Sequence, residues 1–271
     1  MSKGKAGAHS IGVERESSLH RALKFRYAGE GGETEVAAGN FVCDARSPEG
    51  EYVEVQTGSF APLKEKVKIL AAENPVRIIH PIGIQKYIEL YDPEGRLIHR
   101  RRSPRKGSPW DLFKSLLFAP LLPLTQNVTV EVVLADILEK RILDGTGSWR
   151  RRGARIADKI LAAWRGSLVL AGPASYLRFF PFTEDESFGS ADLGARAGIS
   201  RGLAAKSLYV AVKLDLVERT GKRGNSIIYK KKRAPAGPPD VPNEAYHASD
   251  ISSSSMPYSA KRSVTARRSS K

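Results

Sequence analysis

The sequence is poor in cysteine: Cys43 stands alone in 271 residues. That excludes an intrachain disulfide, a disulfide-stapled secreted module and a cysteine-rich zinc site. Long apolar runs are missing too. The greasiest stretch, Leu116 to Leu124, is interrupted by Pro120 and Pro123 and is too short to span a bilayer. The first residues, Met1-Ser2-Lys3-Gly4-Lys5, lead into polar sequence without the apolar stretch of a signal peptide. The expectation is a soluble, cytoplasmic protein with no membrane partner. Acid is also scarce: 29 Asp plus Glu face 44 Lys plus Arg, a formal charge of +15. Such a surplus favours a polyanion, nucleic acid ahead of a membrane surface.

What is present suits a globular core, with 41% hydrophobic residues and enough length for one large domain or two smaller ones. Residues 1–12 and the Pro/Ser-rich stretch 233–271 cannot bury enough apolar surface and are expected to be disordered, the latter ending in a basic arm (Lys261, Arg262, Arg267, Arg268). Between them, Ser17 to Tyr27 has a helical apolar face, and the glycines at 29–32 end it. Glu35 to Asp44 and Glu51 to Thr57 alternate as two strands around the turn Ser47-Pro48-Glu49-Gly50. Pro62 to Glu73 is a second helix that buries Leu63, Val67, Leu70 and Ala71 and exposes Lys64, Lys66 and Lys68. Val76 to Ile82 and Tyr87 to Tyr91 are two further strands. The order predicts an α/β class, an α+β mixed sheet with a crossover helix between neighbouring strands.

The second half differs. Trp149 to Trp164 is expected to be a basic helix, its tryptophans serving as packing anchors. Ser190 to Ala197, a turn at Gly198–Ser200 and Arg201 to Leu214 make a helix–turn–helix, with Ser200 capping the second helix. A hairpin follows, Val217 to Thr220 and Ser226 to Lys230, turning at Gly221–Asn225. Helix–turn–helix plus basic hairpin is the outline of a winged helix. The expected boundaries are therefore 13–145 for the sheet domain and 146–232 for a linker helix and winged helix.

The chemistry sits on the hairpin. Glu54 and Gln56, two apart on one strand, share a face, and folding at Pro48 brings Asp44 roughly opposite. Paired carboxylates in a basic protein repel unless a cation joins them, and hard oxygens favour Mg2+ or Mn2+. The spacing Asp44…Glu54-Val55-Gln56 resembles the PD-(D/E)xK signature of restriction-endonuclease-like nucleases. Four segments in order resemble an uncharacterised bacterial and archaeal family of predicted nuclease-like domains: residues 18–24 (SLHRALK), 54–60 (EVQTGSF), 76–82 (VRIIHPI) and 102–107 (RSPRKG). The likeness spans 13 to about 230. It implies a restriction-endonuclease-like core in which Asp44 and Glu54 bind the metal and Glu16, rather than Glu14, is the helical acid. Gln56 stands where lysine is usual, and Cys43 where proline is.

On that resemblance the expected activity is metal-dependent hydrolysis of DNA phosphodiesters, DNA ahead of RNA. Gln56 would orient the water. Arg100, Arg101, Arg102, Arg105 and Lys106 would clamp phosphates from a solvated loop. Arg201 and Lys206 on the second helix, and Lys222 and Arg223 at the wing tip, would meet phosphates. His20 and Glu35 would flank the cleft, against the alternatives of a hydrogen-bonded histidine and a surface strand end. Cutting both strands would favour a homodimer. The rival expectation is a DNA-binding protein that keeps the fold without cutting.

Overall fold

The computed structural model describes residues 16–233; the expectations for residues 1–12, Glu14 and the basic arm lie outside them. Helix α1 (Ser18–Ala28) starts where Ser17 caps it, its side chain accepting from the His20 amide. Strands β1 (Glu33–Ala38) and β2 (Phe41–Arg46) then pair antiparallel. One strand was expected over Glu35 to Asp44. The break falls at Gly39-Asn40, a two-residue turn whose positive φ, +59° at Gly39, glycine adopts without strain. Strand β3 (Tyr52–Val55) follows the Ser47–Gly50 turn and pairs with β2.

A short 3-10 turn at Ala61–Leu63 leads into α2 (Lys64–Leu70), which buries Val67 and Leu70. It is a crossover helix, so β3 and β4 (Val76–Tyr91) run parallel. Strand β4 joins the two strands expected there. Its irregularity between Gly83 and Gln85 falls where the gap was read. Strand β5 (Leu97–Arg102) pairs with the second half of β4. The basic stretch is therefore an exposed edge strand, not a loop, up to Arg102. A strand with no buried face has no apolar alternation to announce it.

After α3 (Leu112–Leu116) come the two longest strands, β6 (Val128–Leu143) and β7 (Ala154–Ala171). The expected basic helix over Trp149 to Trp164 is thus overturned: Trp149–Arg151 is a 3-10 turn and the remainder is strand. Pairing with β6 outweighs the helical propensity of this Ala-, Lys- and Leu-containing stretch. Three register shifts in that pairing also break the two-residue alternation that marks a strand. The large sheet has the order β1-β2-β3-β4-β6-β7, with β5 on the outer part of β4.

The last elements are β8 (Ser187–Phe188), α4 (Ser190–Ala197), α5 (Arg201–Lys213), β9 (Val217–Arg223) and β10 (Ser226–Lys231). Ser200 Oγ accepts from the Leu203 amide at 3.2 Å, the expected cap. Strands β8, β10 and β9 form a small antiparallel sheet beside the helix pair.

Two apolar cores sandwich the large sheet. One packs Leu19, Leu23 and Ala28 of α1 against Ala45, Val53, Val55 and Ile79. The other begins beneath α2 and runs without a break through α3 to α5 and Tyr229. Trp110, Phe113, Phe179 and Phe180 bridge it, with ring centroids 5.0–6.1 Å apart. The sheet continues past the expected 145/146 boundary to Ala171, and the helix pair shares its core. Class is mixed α+β, as expected. No helix among the described residues is long and apolar enough to cross a membrane.

Candidate active site at the fork of β2 and β3

Strands β2 and β3 are paired at Ala45–Val53 and Arg46–Tyr52, and no pairing continues beyond Ala45. Asp44 sits where they part. Its neighbours change sides of the sheet: Cys43 packs into the α2-side core and Ala45 into the α1-side core. In the β1–β2 register, the position across from Asp44 is Glu35, whose φ of +55° is a strained backbone for a residue with a side chain. The distortion aims Asp44 into the fork, where its Oδ2 accepts from the Val55 amide at 2.7 Å.

Cations reach the fork from both helices. His20 Nε2 on α1 lies 3.1 Å from Asp44 Oδ2 and 3.7 Å from Glu16 Oε1. Lys24, one turn on, holds Glu16 at 2.8 Å and pairs with Glu35. Glu16 precedes the helical cap, so it is not a helical acid as expected, yet it arrives beside His20. From α2, Lys66 pairs with Glu54 and donates to the Val42 carbonyl at 2.5 Å. Sequence reasoning took Lys66 for an exposed lysine. Its position, three after Leu63 and four before Leu70, flanks the buried stripe, but Lys64 and Lys68 lie three before Val67 and Ala71, so helical spacing alone does not single it out.

The two carboxylates are not equivalent. Burial raises the Asp44 pKa, but the hydrogen bonds from His20 and the Val55 amide, with the charges of His20 and Lys66, bring it below the ordinary value. Burial lowers that of His20, and Asp44 and Glu16 more than reverse this. Glu54, 4% exposed, is pushed up, first by burial and against the pull of Lys66. Its Oε1 lies against the Lys66 ammonium as an ion pair but has no partner in hydrogen-bonding geometry. Cys43 beside it is held neutral, its thiol pushed up to about 12 by burial and by the charge of Glu54.

Gln56 opens the next turn. Its side-chain nitrogen donates to the Ser59 carbonyl, and its own carbonyl accepts from His80 Nδ1 at 2.6 Å. Ser115 donates to the other ring nitrogen, His80 Nε2, at 3.2 Å. His80 is therefore a buried strut, its pKa lowered first by burial.

The donor chemistry fits a hard divalent cation. Asp44 and Glu54 offer carboxylate oxygens, each already facing a cation, His20 or Lys66. Among the described residues no group of three His, Cys, Asp or Glu is gathered to hold a metal. Two carboxylates alone would leave most of a magnesium ion's six positions to water or substrate oxygens.

The expected phosphate contacts are dispersed. Arg100 and Arg102 are tied along β4, Arg100 to Glu89 at 3.7 Å and Arg102 to Gln85, and Arg101 is exposed between them. Arg105 and Lys106 are exposed on the segment that the Ser103 and Gly107 amides fasten to Lys86 and Gly83. That segment faces the same edge of β4 as the end of β3. Arg201 bonds to Ser190 at 3.4 Å and Ser226 at 3.1 Å, while Lys206, Lys222 and Arg223 are exposed. These four lie on α5 and on the hairpin strand β9.

Comparison with known proteins gives kinship without chemistry. No solved structure matches. A protein of Treponema pallidum (strain Nichols), described as uncharacterized, is 27% identical over 229 residues, covering 82% of this chain and 88% of its own. The family described as domain of unknown function (DUF8091) matches residues 17–171, more than half of the chain and the whole of α1 to β7. The fork, the crossover helix and the large sheet are thus the shared part, and the chain belongs to that family.

Proposed function

We propose that the fork is the active site of a metal-dependent nuclease-like enzyme acting on DNA phosphodiesters. One observation carries this reading. The order α1-β1-β2-β3-α2-β4, with β3 and β4 parallel, brings Asp44, Glu54 and the α2 lysine Lys66 to one sheet end. The helix before the hairpin, the two acids on it and the crossover helix after it are what the resemblance to restriction-endonuclease-like nucleases implies; a lysine from α2 is no part of that pattern. Asp44 and Glu54 would hold Mg2+ or Mn2+. When bound, such an ion lowers the pKa of a water and offsets charge on a phosphodiester. Lys66 supplies the cation that Gln56 cannot, from a helix instead of the strand. Gln56, tethered at its side-chain nitrogen and carbonyl, presents its amide oxygen to orient the attacking water. The exposed charges of β5 and residues 105–106 hold the DNA backbone next to the fork. The helix pair and its hairpin are read as a winged helix that docks on duplex through Arg201, Lys206, Lys222 and Arg223.

A second reading has its own support. Each fork acid already has a cation, Lys24 for Glu16, His20 for Asp44 and Lys66 for Glu54, which suits a DNA binder that does not cut. Plasmid incubated with the protein and Mn2+, beside Asp44→Ala and Glu54→Ala, separates them. Cleavage lost in both variants supports the enzyme. Intact plasmid with a salt-sensitive gel shift in all three proteins supports the binder.

A further inference from the structure

The β6–β7 hairpin ends in a tip, residues 144–153, that neither reading uses. Its sequence, Asp-Gly-Thr-Gly-Ser-Trp-Arg-Arg-Arg-Gly, is held in one shape by its own hydrogen bonds. Asp144 accepts from the Thr146 amide at 3.1 Å and hydroxyl at 2.7 Å and pairs with Arg155. The Gly147 amide donates to the Gly153 carbonyl at 2.8 Å, and a side chain at 147 would collide with Ala154 backbone at 1.9 Å. Arg151 Nε donates to the Ala154 carbonyl at 3.0 Å, so Arg151 is a clamp of the tip. On this frame Trp149 stands 82% exposed, the largest exposure among the big hydrophobic side chains described. The Arg150 guanidinium lies 5.4 Å from its ring centre, and Arg152 is exposed beside it.

A lone exposed apolar side chain needs no cover, but an indole held beside arginines is the combination that binding surfaces favour. The tip is not an apolar patch of the kind that enters a membrane, since arginines and polar residues surround the ring. Charge and shape together select a polyanion with flat apolar faces. Planar rings on a rigid support stack on unpaired bases, and the guanidiniums take the adjoining phosphates. Position agrees. Ile79 and Glu131 are in register, level with Val55, and β6 runs from there to Leu143, about 40 Å at ~3.3 Å per residue. That is roughly one turn of duplex. Between the two ends, at the levels of Tyr87 to Tyr91, lies the arginine strand β5.

We infer that the β6–β7 tip is a stacking contact for an unpaired base, at a DNA end or junction, with Trp149 on the base and Arg150 and Arg152 on flanking phosphates. The inference rests on the DNA-directed reading above for its substrate. The full chain is titrated, without divalent ions, into labelled blunt duplex and into the same duplex with a single-stranded overhang, followed by anisotropy. Trp149→Ala weakens overhang binding about tenfold and blunt-duplex binding by less than twofold, whereas Trp149→Phe stays near wild type on both. Arg150→Ala/Arg152→Ala weakens both DNAs. An unchanged melting temperature shows that these exposed-site variants fold. Equal affinities of Trp149→Ala and wild type for overhang DNA overturn the inference, as does an affinity for anionic vesicles that Trp149→Ala alone abolishes. Cleavage by a Trp149→Ala protein of unchanged affinity would discard this inference and keep the nuclease reading. Absent cleavage with the tenfold loss intact would do the reverse.

Discussion

Glu54 and Glu139 are both buried glutamates of the same sheet, each beside a lysine, and they titrate in opposite directions. Glu139, 2% exposed on β6, is held by two cations, Lys86 at 3.1 Å and Arg141 at 2.5 Å. Burial pushes its pKa up, but the hydrogen bonds and charges of both partners bring it below the ordinary value. Nearby Asp136 is likewise closed by Arg165, at 2.6 and 3.2 Å. Glu54 has one cation, an oxygen without a hydrogen bond and a raised pKa. A carboxylate held by two cations braces strands, and Glu54 at the fork is held by one.

The largest expected contrast is catalytic. Asp44→Ala and Glu54→Ala should each lower Mn2+-dependent plasmid cleavage by about 100-fold or more, whereas Glu139→Ala, at equal folded concentration, stays within about threefold. Equal losses in all three would erase the distinction.

Stability should show the same contrast in a smaller measure. Lys66→Ala leaves Glu54 buried without its cation and should cost about 3–5 kcal/mol in urea unfolding. Lys86→Ala leaves Glu139 with Arg141 and should cost about 1 kcal/mol or less. The neutral pair Glu54→Gln/Lys66→Met should recover the loss and exceed wild type by about 1–4 kcal/mol, since buried ion pairs are often outdone by apolar packing.

Acidity sharpens the comparison within the fork itself. The His20 pKa is raised, so its contribution to stability is complete below 6.5 and is lost as pH rises through the raised value. The Asp44 pKa is lowered, so its contribution is present above 3.8 and is lost as pH falls through the depressed value. Chemical unfolding followed from pH 5.5 to 8.5 should show wild type losing stability relative to His20→Asn, and a parallel pair of curves would count against the His20–Asp44 pair. The smallest effect belongs to the hairpin of the small sheet. Lys222→Ala should weaken duplex binding evenly across sequences and reduce the salt slope by about one.

Legibility in the sequence followed burial. Helix α1, the buried stripe of α2 and the helix–turn–helix are readable because each has one wet and one dry face at a fixed period, whereas the Ser200 cap and the basic hairpin, whose β9 is exposed beyond Val217, are readable from their cap and turn residues. The adjacency of Asp44 and Glu54 was readable through the Pro48 turn. Three features escaped. Strand β7 pairs with β6 through three register shifts, so its alternation is lost. Strand β5 has no dry face at all. Lys66 reaches Glu54 from another element, a tertiary contact that the helical spacing of the three α2 lysines does not distinguish. The turn at Gly39-Asn40, by contrast, is carried by its glycine and divides the single strand expected over Glu35 to Asp44.

The aromatic bridge of Trp110, Phe113, Phe179 and Phe180 has a consequence for any attempt to dissect the chain. Its rings lie in one continuous interior with Phe188, Leu193, Leu203 and Leu208 of the last elements. Amputating residues 183–271 would therefore strip side chains from a common interior, so a docking role is better interrogated one surface charge at a time.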